Sequence, residues 1–190
     1  MKTTLNKIRQ HDPCDISWGK LLKSLDKTEA DDTEVSIEYI LDLLGLNDAL
    51  WALRAVEGKD KEIRLLACDY AEHVLHIFEE KYPEDRRPRN AIGVSRKYAN
   101  GNATKEDFDA AWVAARAAWY AAAACYAAGD DRAAARAAWY AAGAACYAAG
   151  DDRDAACDAD RAAAWAAGDA RDAEKQWQEQ KLREYLNPNK

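Results

Sequence analysis

The densest set of reactive side chains in the sequence is Cys68-Asp69-Tyr70-Ala71-Glu72-His73-Val74-Leu75-His76. On a helix Asp69 and His73, and Glu72 and His76, are i,i+4 neighbours, and carboxylate beside imidazole is a donor set for a divalent metal. The order is not H-E-x-x-H, and His11 is the single histidine outside this segment. The favoured reading is therefore a helix whose acids and imidazoles hydrogen-bond, with no metal and no cofactor. His11-Asp12-Pro13-Cys14-Asp15 brings a thiol and an imidazole close in sequence, but a Cys–His dyad is a spatial arrangement that adjacency does not create. There is no P-loop, no dinucleotide-binding glycine motif and no nucleophile elbow. The chain is read as a binding protein without catalytic residues.

Charge clusters are the remaining candidates. Arg86, Arg87 and Arg89 open a helix with Arg96 and Lys97 two turns on, a grouping that suits phosphate or an acidic partner. Glu79, Glu80, Glu84 and Asp85 stand just upstream, and neutralisation by them carries equal weight. Asp130, Asp131 and Arg132, repeated as Asp151, Asp152 and Arg153, mark turns in the second half of the chain. As exposed pairs they would contribute little to stability. As an outward ladder of acid and arginine near tyrosine they have the composition of a protein-binding face. These nine residues are the expected partner-contacting set.

The elements that would carry them are helical throughout. Leu5 and Ile8 mark a first helix that ends at Pro13, and Trp18, Leu21, Leu22 and Leu25 mark a second. Ile37, Ile40, Leu41 and Leu44 form a stripe closed by Gly45, and Asn47 is placed to cap the segment to Val56, stopped by Gly58. Ile63, Leu66, Tyr70, Val74 and Phe78 predict one long helix from about Lys61 to Lys81, ended by Pro83. Pro88 suits the first turn of a helix to about Asn100, and Thr104 with Asp107 reads as a shortened capping box. No segment alternates as a strand would.

From Ala110 to Ala173 about half of the residues are alanine. Arg116-Ala-Ala-Trp119-Tyr120 and Cys125-Tyr126-Ala-Ala-Gly129-Asp130 return as Arg136-Ala-Ala-Trp139-Tyr140 and Cys146-Tyr147-Ala-Ala-Gly150-Asp151, and a worn third copy ends at Trp165-Ala-Ala-Gly168-Asp169. Each Gly-Asp pair reads as a helix stop followed by an N-cap, which predicts antiparallel helices near 105–128, 131–149, 152–167 and 170–186. The rival is one long helix that tolerates its glycines at about 1 kcal/mol each. Broken helices are preferred, because a single seam would leave tryptophans in water. Alanine allows close approach of helix axes, so Trp119 and Trp139 are expected to fill the core between them.

The expected fold is therefore an all-α helical bundle with C-terminal Ala/Trp-rich antiparallel repeats. A helical region at 1–103 and the repeat region at 104–190 should pack as one domain. The 190 residues are 49% hydrophobic and 32% charged with a net charge of −7, which argues against direct nucleic-acid binding through a bulk positive field. No stretch has the run of ~20 apolar residues that spans a membrane. The five cysteines lack C-x-x-C spacing and read as free thiols of a cytoplasmic protein.

Asn47-Asp-Ala-Leu-Trp51-Ala-Leu-Arg54, Lys61-Glu-Ile-Arg64-Leu-Leu-Ala-Cys68-Asp-Tyr-Ala-Glu72-His73, Tyr82-Pro-Glu-Asp-Arg86-Arg87-Pro88-Arg89 and Tyr98-Ala-Asn-Gly101, with the alanine-tryptophan tail, resemble the Imm-5-like family of bacterial and phage immunity proteins. The resemblance covers most of the chain from about Ser36 onward. It implies a non-catalytic inhibitor that neutralises a bacterial toxin or effector, commonly a nuclease, by stoichiometric binding. A phage-encoded counter-defence inhibitor of the anti-CRISPR type fits the same sequence. A scaffold that self-associates into a homo-oligomer through the repeat is the third reading.

Overall fold

The computed structural model describes residues 1–127, 132–148 and 155–188; the side chains of Tyr126, Arg132, Ala134, Ala135 and Cys157 are not described. Its contacts divide the chain into two compact units. One comprises Met1–Lys59 with Leu182–Lys190, and the other Asp60–Lys181.

The first unit begins with strand β1 (Lys2–Thr4) and helices α1 (Leu5–Arg9) and α2 (Asp15–Ser24). Strand β2 (Glu34–Ser36) then leads into α3 (Ile37–Leu44) and α4 (Leu46–Ala52), with a 3-10 turn at Leu53–Ala55. The two strands pair antiparallel, Thr3 opposite Val35. No strand was expected, because three residues are too few to display the period of two. Only the middle residue of each, Thr3 and Val35, is buried. Thr4 and Ser36 end the strands and cap α1 and α3 through their side-chain oxygens. The expected cap at Asn47 is corrected: α4 starts earlier, because Gly45 at φ 92° ends α3 and opens α4 in one residue. Leu5, Ile37, Ile40, Leu50 and Leu53 form the core of this unit. The end of the last helix closes it, with Arg183 on Asp42 at 2.7 Å and Asn187 on Glu38 at 2.9 Å.

The second unit contains α5 (Asp60–His73), α6 (Leu75–Lys81), α7 (Arg87–Ala99), α8 (Lys105–Ala127), α9 (Arg132–Ala148) and α10 (Ala155–Ala166). A 3-10 turn at Gly168–Ala170 precedes α11 (Arg171–Leu186), whose last turn belongs to the first unit. The single helix expected from Lys61 to Lys81 is two. The His76 imidazole Nδ1 lies 3.1 Å from the His73 carbonyl, which a continuous helix would reserve for the Ile77 N–H, and that N–H turns to Val74 instead. Thr104 and Asp107 form the expected reciprocal cap of α8, each side chain meeting the other's backbone N–H at 3.1 Å.

The alanine-rich segment is broken and antiparallel. Trp119 and Gly143, which touch, lie on either side of the first junction, and Tyr140 and Trp165, which stack, lie on either side of the second. In one continuous helix Trp119 and Tyr147 would be roughly 40 Å apart, at 1.5 Å per residue; their ring centroids are 5.4 Å apart. The Gly129-Asp130 and Gly150-Asp151 pairs lie outside the described residues. Gly168 is described and adopts φ 57°, the left-handed stop expected of it.

Helices α8, α9 and α10 pack side by side, α9 in the middle, and this layer rests on α5, α6 and α7. Here the sequence expectation needs correcting. The residues sealed between the layers are alanines, including Ala115, Ala118, Ala138, Ala141, Ala145 and Ala159, while Trp119 and Trp139 are only half-buried. With α9 covered on several sides, the space between axes admits a methyl group and excludes an indole. The large core side chains come from the other layer, with Leu66, Tyr70, Leu75 and Phe78 fully buried, and from Phe108.

Candidate functional site

The segment Cys68 to His76, which runs from α5 into α6, distributes its polar groups among three different tasks. Arg96 of α7 clamps Asp69 at 2.7 Å and Glu72 at 2.6 Å, so both carboxylates are held by a guanidinium. The Cys68 thiol is sealed in the core and pushed up by burial. His73 turns to Glu174 of α11, Nδ1 to Oε2 at 2.6 Å, and its ring stacks on Trp177 with centroids 3.6 Å apart and planes 3° from parallel. Asp69 and Glu72 thus have a partner on α7, and His73 has one on α11. Among the described residues no three His, Cys, Asp or Glu side chains converge as metal ligands.

His73 opens onto a buried polar junction between α5, α10 and α11 that sequence reasoning missed. Gln178 is fully buried; its side-chain amide donates to the Asp160 backbone carbonyl at 3.1 Å and to Glu174 Oε1 at 3.0 Å, and its backbone carbonyl accepts from the Tyr70 hydroxyl at 3.0 Å. Asp160 is 3% exposed, and its Oδ1 and the Gln178 Oε1 are buried without hydrogen-bond partners. Burial drives the Asp160 carboxyl up to about 7, helped by the nearby Glu174 and opposed by Lys175 and Arg161. Glu174 is also pushed up by burial, against the pull of His73. Asp160, Glu174 and Gln178 are buried beneath the exposed His73, and the burial that raises the Asp160 carboxyl favours its protonated form. Nothing in the sequence marks it, since Asp160 and Gln178 stand in polar-looking stretches.

The Arg86–Arg89 corner is matched internally. Arg87 forks onto Asp85 through Nε at 2.8 Å and Nη2 at 2.5 Å, and Arg89 onto Glu79 at 2.5 and 2.6 Å; Arg86 approaches Glu79 at 3.6 Å. Both carboxyls are held below their ordinary range, chiefly by these bonds. Asp130, Asp131, Asp151, Asp152 and Arg153, and the side chain of Arg132, lie outside the described residues. Cys14 is exposed at the start of α2, its thiol drawn down chiefly by the Ser17 backbone N–H and then by that of Ile16; no hydrogen bond joins it to His11.

The outer face of the α8–α10 layer concentrates aromatic rings and arginines. On α9, Tyr140, Gly143 and Tyr147 follow at helical spacing, and Trp119 of α8 lies across Gly143 between them. Trp119 stacks on Tyr120 with centroids 5.6 Å apart, and Tyr140 sits between Trp139 at 4.9 Å and Trp165 at 5.7 Å. Arg116 lies over Trp112 and Tyr120, at 5.2 and 5.4 Å, and donates to the Tyr120 hydroxyl at 3.2 Å. Arg171 lies 4.2 Å over Trp165. Tyr120 remains 54% exposed and Trp165 43%, so the rings form a surface rather than a core. Trp, Tyr and Arg are the residues over-represented where binding energy concentrates in protein interfaces.

Gly143 is the one position that lets Trp119 lie flat. A Cβ there would stand 3.1 Å from the indole Nε1. Gly143→Ala should gain about 1 kcal/mol of helix propensity and lose a similar amount in displacing the ring, giving near-unchanged stability with a shifted tryptophan emission. Gly143→Val should lose about 1 to 3 kcal/mol. Denaturant unfolding followed by fluorescence measures both.

The family model for Imm-5 like putative immunity proteins matches residues 55–185. That is more than half of the chain, which therefore belongs to this family. No curated protein and no solved structure matches it. Among the described residues no helix is long and apolar enough to cross a membrane.

Proposed function

We propose that the protein is an immunity-type inhibitor that neutralises a bacterial toxin or effector by binding it, without chemistry of its own, through the aromatic–arginine face of α8, α9 and α10. The observation that carries this reading is the series of stacked rings threaded by arginines, with Tyr120 and Trp165 exposed and Trp119, Trp139, Tyr140 and Tyr147 partly buried. Exposed tryptophan is costly to a lone protein and useful to one that meets a partner. Family membership supports the inhibitor role, and a nuclease is the target class that the sequence resemblance implies. A phage counter-defence inhibitor would use the same surface against a different bacterial protein. The Arg86–Arg89 corner is a secondary contact, available only if its pairs with Glu79 and Asp85 open.

The test is capture from a bacterial lysate followed by titration. The expected result is one dominant partner in a complex of fixed stoichiometry, and loss of the partner's activity that is linear in added protein until a break at equivalence. Inhibition that proceeds to completion at a small fraction of equivalence would mean turnover and would sink the reading. Self-association through the exposed Val113 and Tyr120 of α8 predicts instead a light-scattering mass that rises with concentration in the absence of any partner.

A further inference from the structure

We propose that the aromatic–arginine face takes a carboxylate-bearing protein segment, acidic side chains meeting Arg116 and Arg171 while apolar neighbours cover Tyr120 and Trp165. The proposal deepens the inhibitor reading and rests on it for the identity of the partner.

The argument is one of matched and unmatched charge. Elsewhere in the second unit the arginines of α7 are satisfied within the fold: Arg87 by Asp85, Arg89 by Glu79, Arg96 by Asp69 and Glu72. Among the described residues of the outer face of α8–α10, Arg161 has such a partner, Asp158 at 2.7 Å. Arg116 meets two rings and a hydroxyl, and Arg171 meets one ring while its buried Nε finds no hydrogen-bond acceptor. Arg136, one turn before Tyr140, is exposed and likewise meets no carboxylate among the described residues. In a chain of net charge −7, Arg116 and Arg171 lie over aromatic rings with no carboxylate beside them among the described residues. A guanidinium over a ring still has donors for a planar acceptor: on Arg116 the Nε and Nη2 edge meets the Tyr120 hydroxyl, and on Arg171 Nε is buried, so the terminal nitrogens are the ones offered to a carboxylate. The rings supply the apolar flank that removes water from such a pair. The acidic chain as a whole repels polyanions, which favours carboxylates set in a protein surface over a phosphate backbone.

The experiment uses the full chain and three probes: a 16-residue peptide of glutamate and leucine, the same peptide with lysine for glutamate, and a 16-nucleotide single-stranded DNA. Tryptophan fluorescence and calorimetry report binding. The expected result is saturable binding of the glutamate peptide, weakened about tenfold or more in Arg116→Ala/Arg171→Ala, as for loss of charge-assisted contacts. It should be unchanged in Arg86→Ala/Arg87→Ala/Arg89→Ala. Arg116→Lys/Arg171→Lys, which keeps charge and loses the planar fork, should fall between and guards against an alanine variant that unfolds. Absence of saturable binding, equal or tighter binding of the lysine peptide or the DNA, or indifference to the face variants would each overturn the proposal. If the captured effector binds the face variants as well as it binds the wild type, this surface is wrong and the inhibitor reading stands. If the glutamate peptide binds as described but no effector is inhibited, the surface stands and the inhibitor reading falls.

Discussion

Asp160→Asn is expected to raise stability at pH 8 by on the order of 2 to 4 kcal/mol while leaving it nearly unchanged at pH 4. Burial chiefly pushes the Asp160 carboxyl in the folded chain from its ordinary 3.8 up to about 7. An acid whose folded value is raised binds more protons folded than unfolded across that window. Its contribution to stability is therefore fully present below the unfolded value, declines as pH rises, and reaches its full cost once pH passes the folded value. Around it Glu174 adds repulsion, while Lys175 and Arg161 lessen the cost without removing it. Asparagine cannot ionise, and it brings an amide donor into a junction where the Gln178 Oε1 has no partner. Denaturant unfolding at a series of pH values should show wild-type stability declining relative to the variant between about pH 4 and 7 and running parallel above. Parallel curves throughout would mean that Asp160 is ionised and compensated, contrary to its burial.

The second large effect lies in the alanine layer. Ala145→Leu should destabilise by about 3 kcal/mol or more, whereas Ala117→Leu on the same layer should stay within about 0.5 kcal/mol. Ala145 is fully buried in α9, the helix that packs against α8 and α10 in its own layer and against α5, α6 and α7 in the other. A leucine side chain there has no direction in which to expand without separating helix axes set for methyl groups. Ala117 faces outward on α8, where leucine enjoys similar helix propensity and no clash. Thermal unfolding of the two variants compares them directly. Equal effects would show that the layer is loosely packed and that the tryptophans, not the alanines, fix its spacing. By the same logic Trp119→Ala should cost about 2 kcal/mol rather than the 3 to 5 of a fully buried indole.

The helices were legible because their signals are local. Thr104 with Asp107, Pro88 and Gly168 each fix a chain end through bonds within a few residues, and the structure uses them as the sequence suggests. The helix over residues 61–81 was misjudged because its apolar stripe continues unbroken through Val74. The interruption comes from a side chain, His76, competing for a backbone carbonyl. The short strands escaped notice because three residues carry no period.

The candidate site was legible in composition and not in geometry. Repeated Trp, Tyr and Arg could be read as a packing code or as an interface, and periodicity cannot choose between them. The arginine corner at Arg86–Arg89 drew attention because its charges are consecutive, yet two of those side chains are tied bidentately to Glu79 and Asp85. The unmatched cations are scattered as Arg116, Arg136 and Arg171, which no sequence window groups together.

By itself the sequence determined that this chain is helical, where most helices begin and end, and which family it resembles, and it left the repeat open between broken helices and one long helix. Each follows from propensity, capping or pattern within a few turns of chain. Only the tertiary structure decided that the repeat turns back on itself, which face of it is buried, that alanine rather than tryptophan seals it, and that Asp160, Glu174, Gln178 and Tyr70 gather out of water beneath an exposed His73. Those outcomes depend on which groups are brought within a few ångströms across distant segments, and burial and pairing, unlike helix formation, have no local signature.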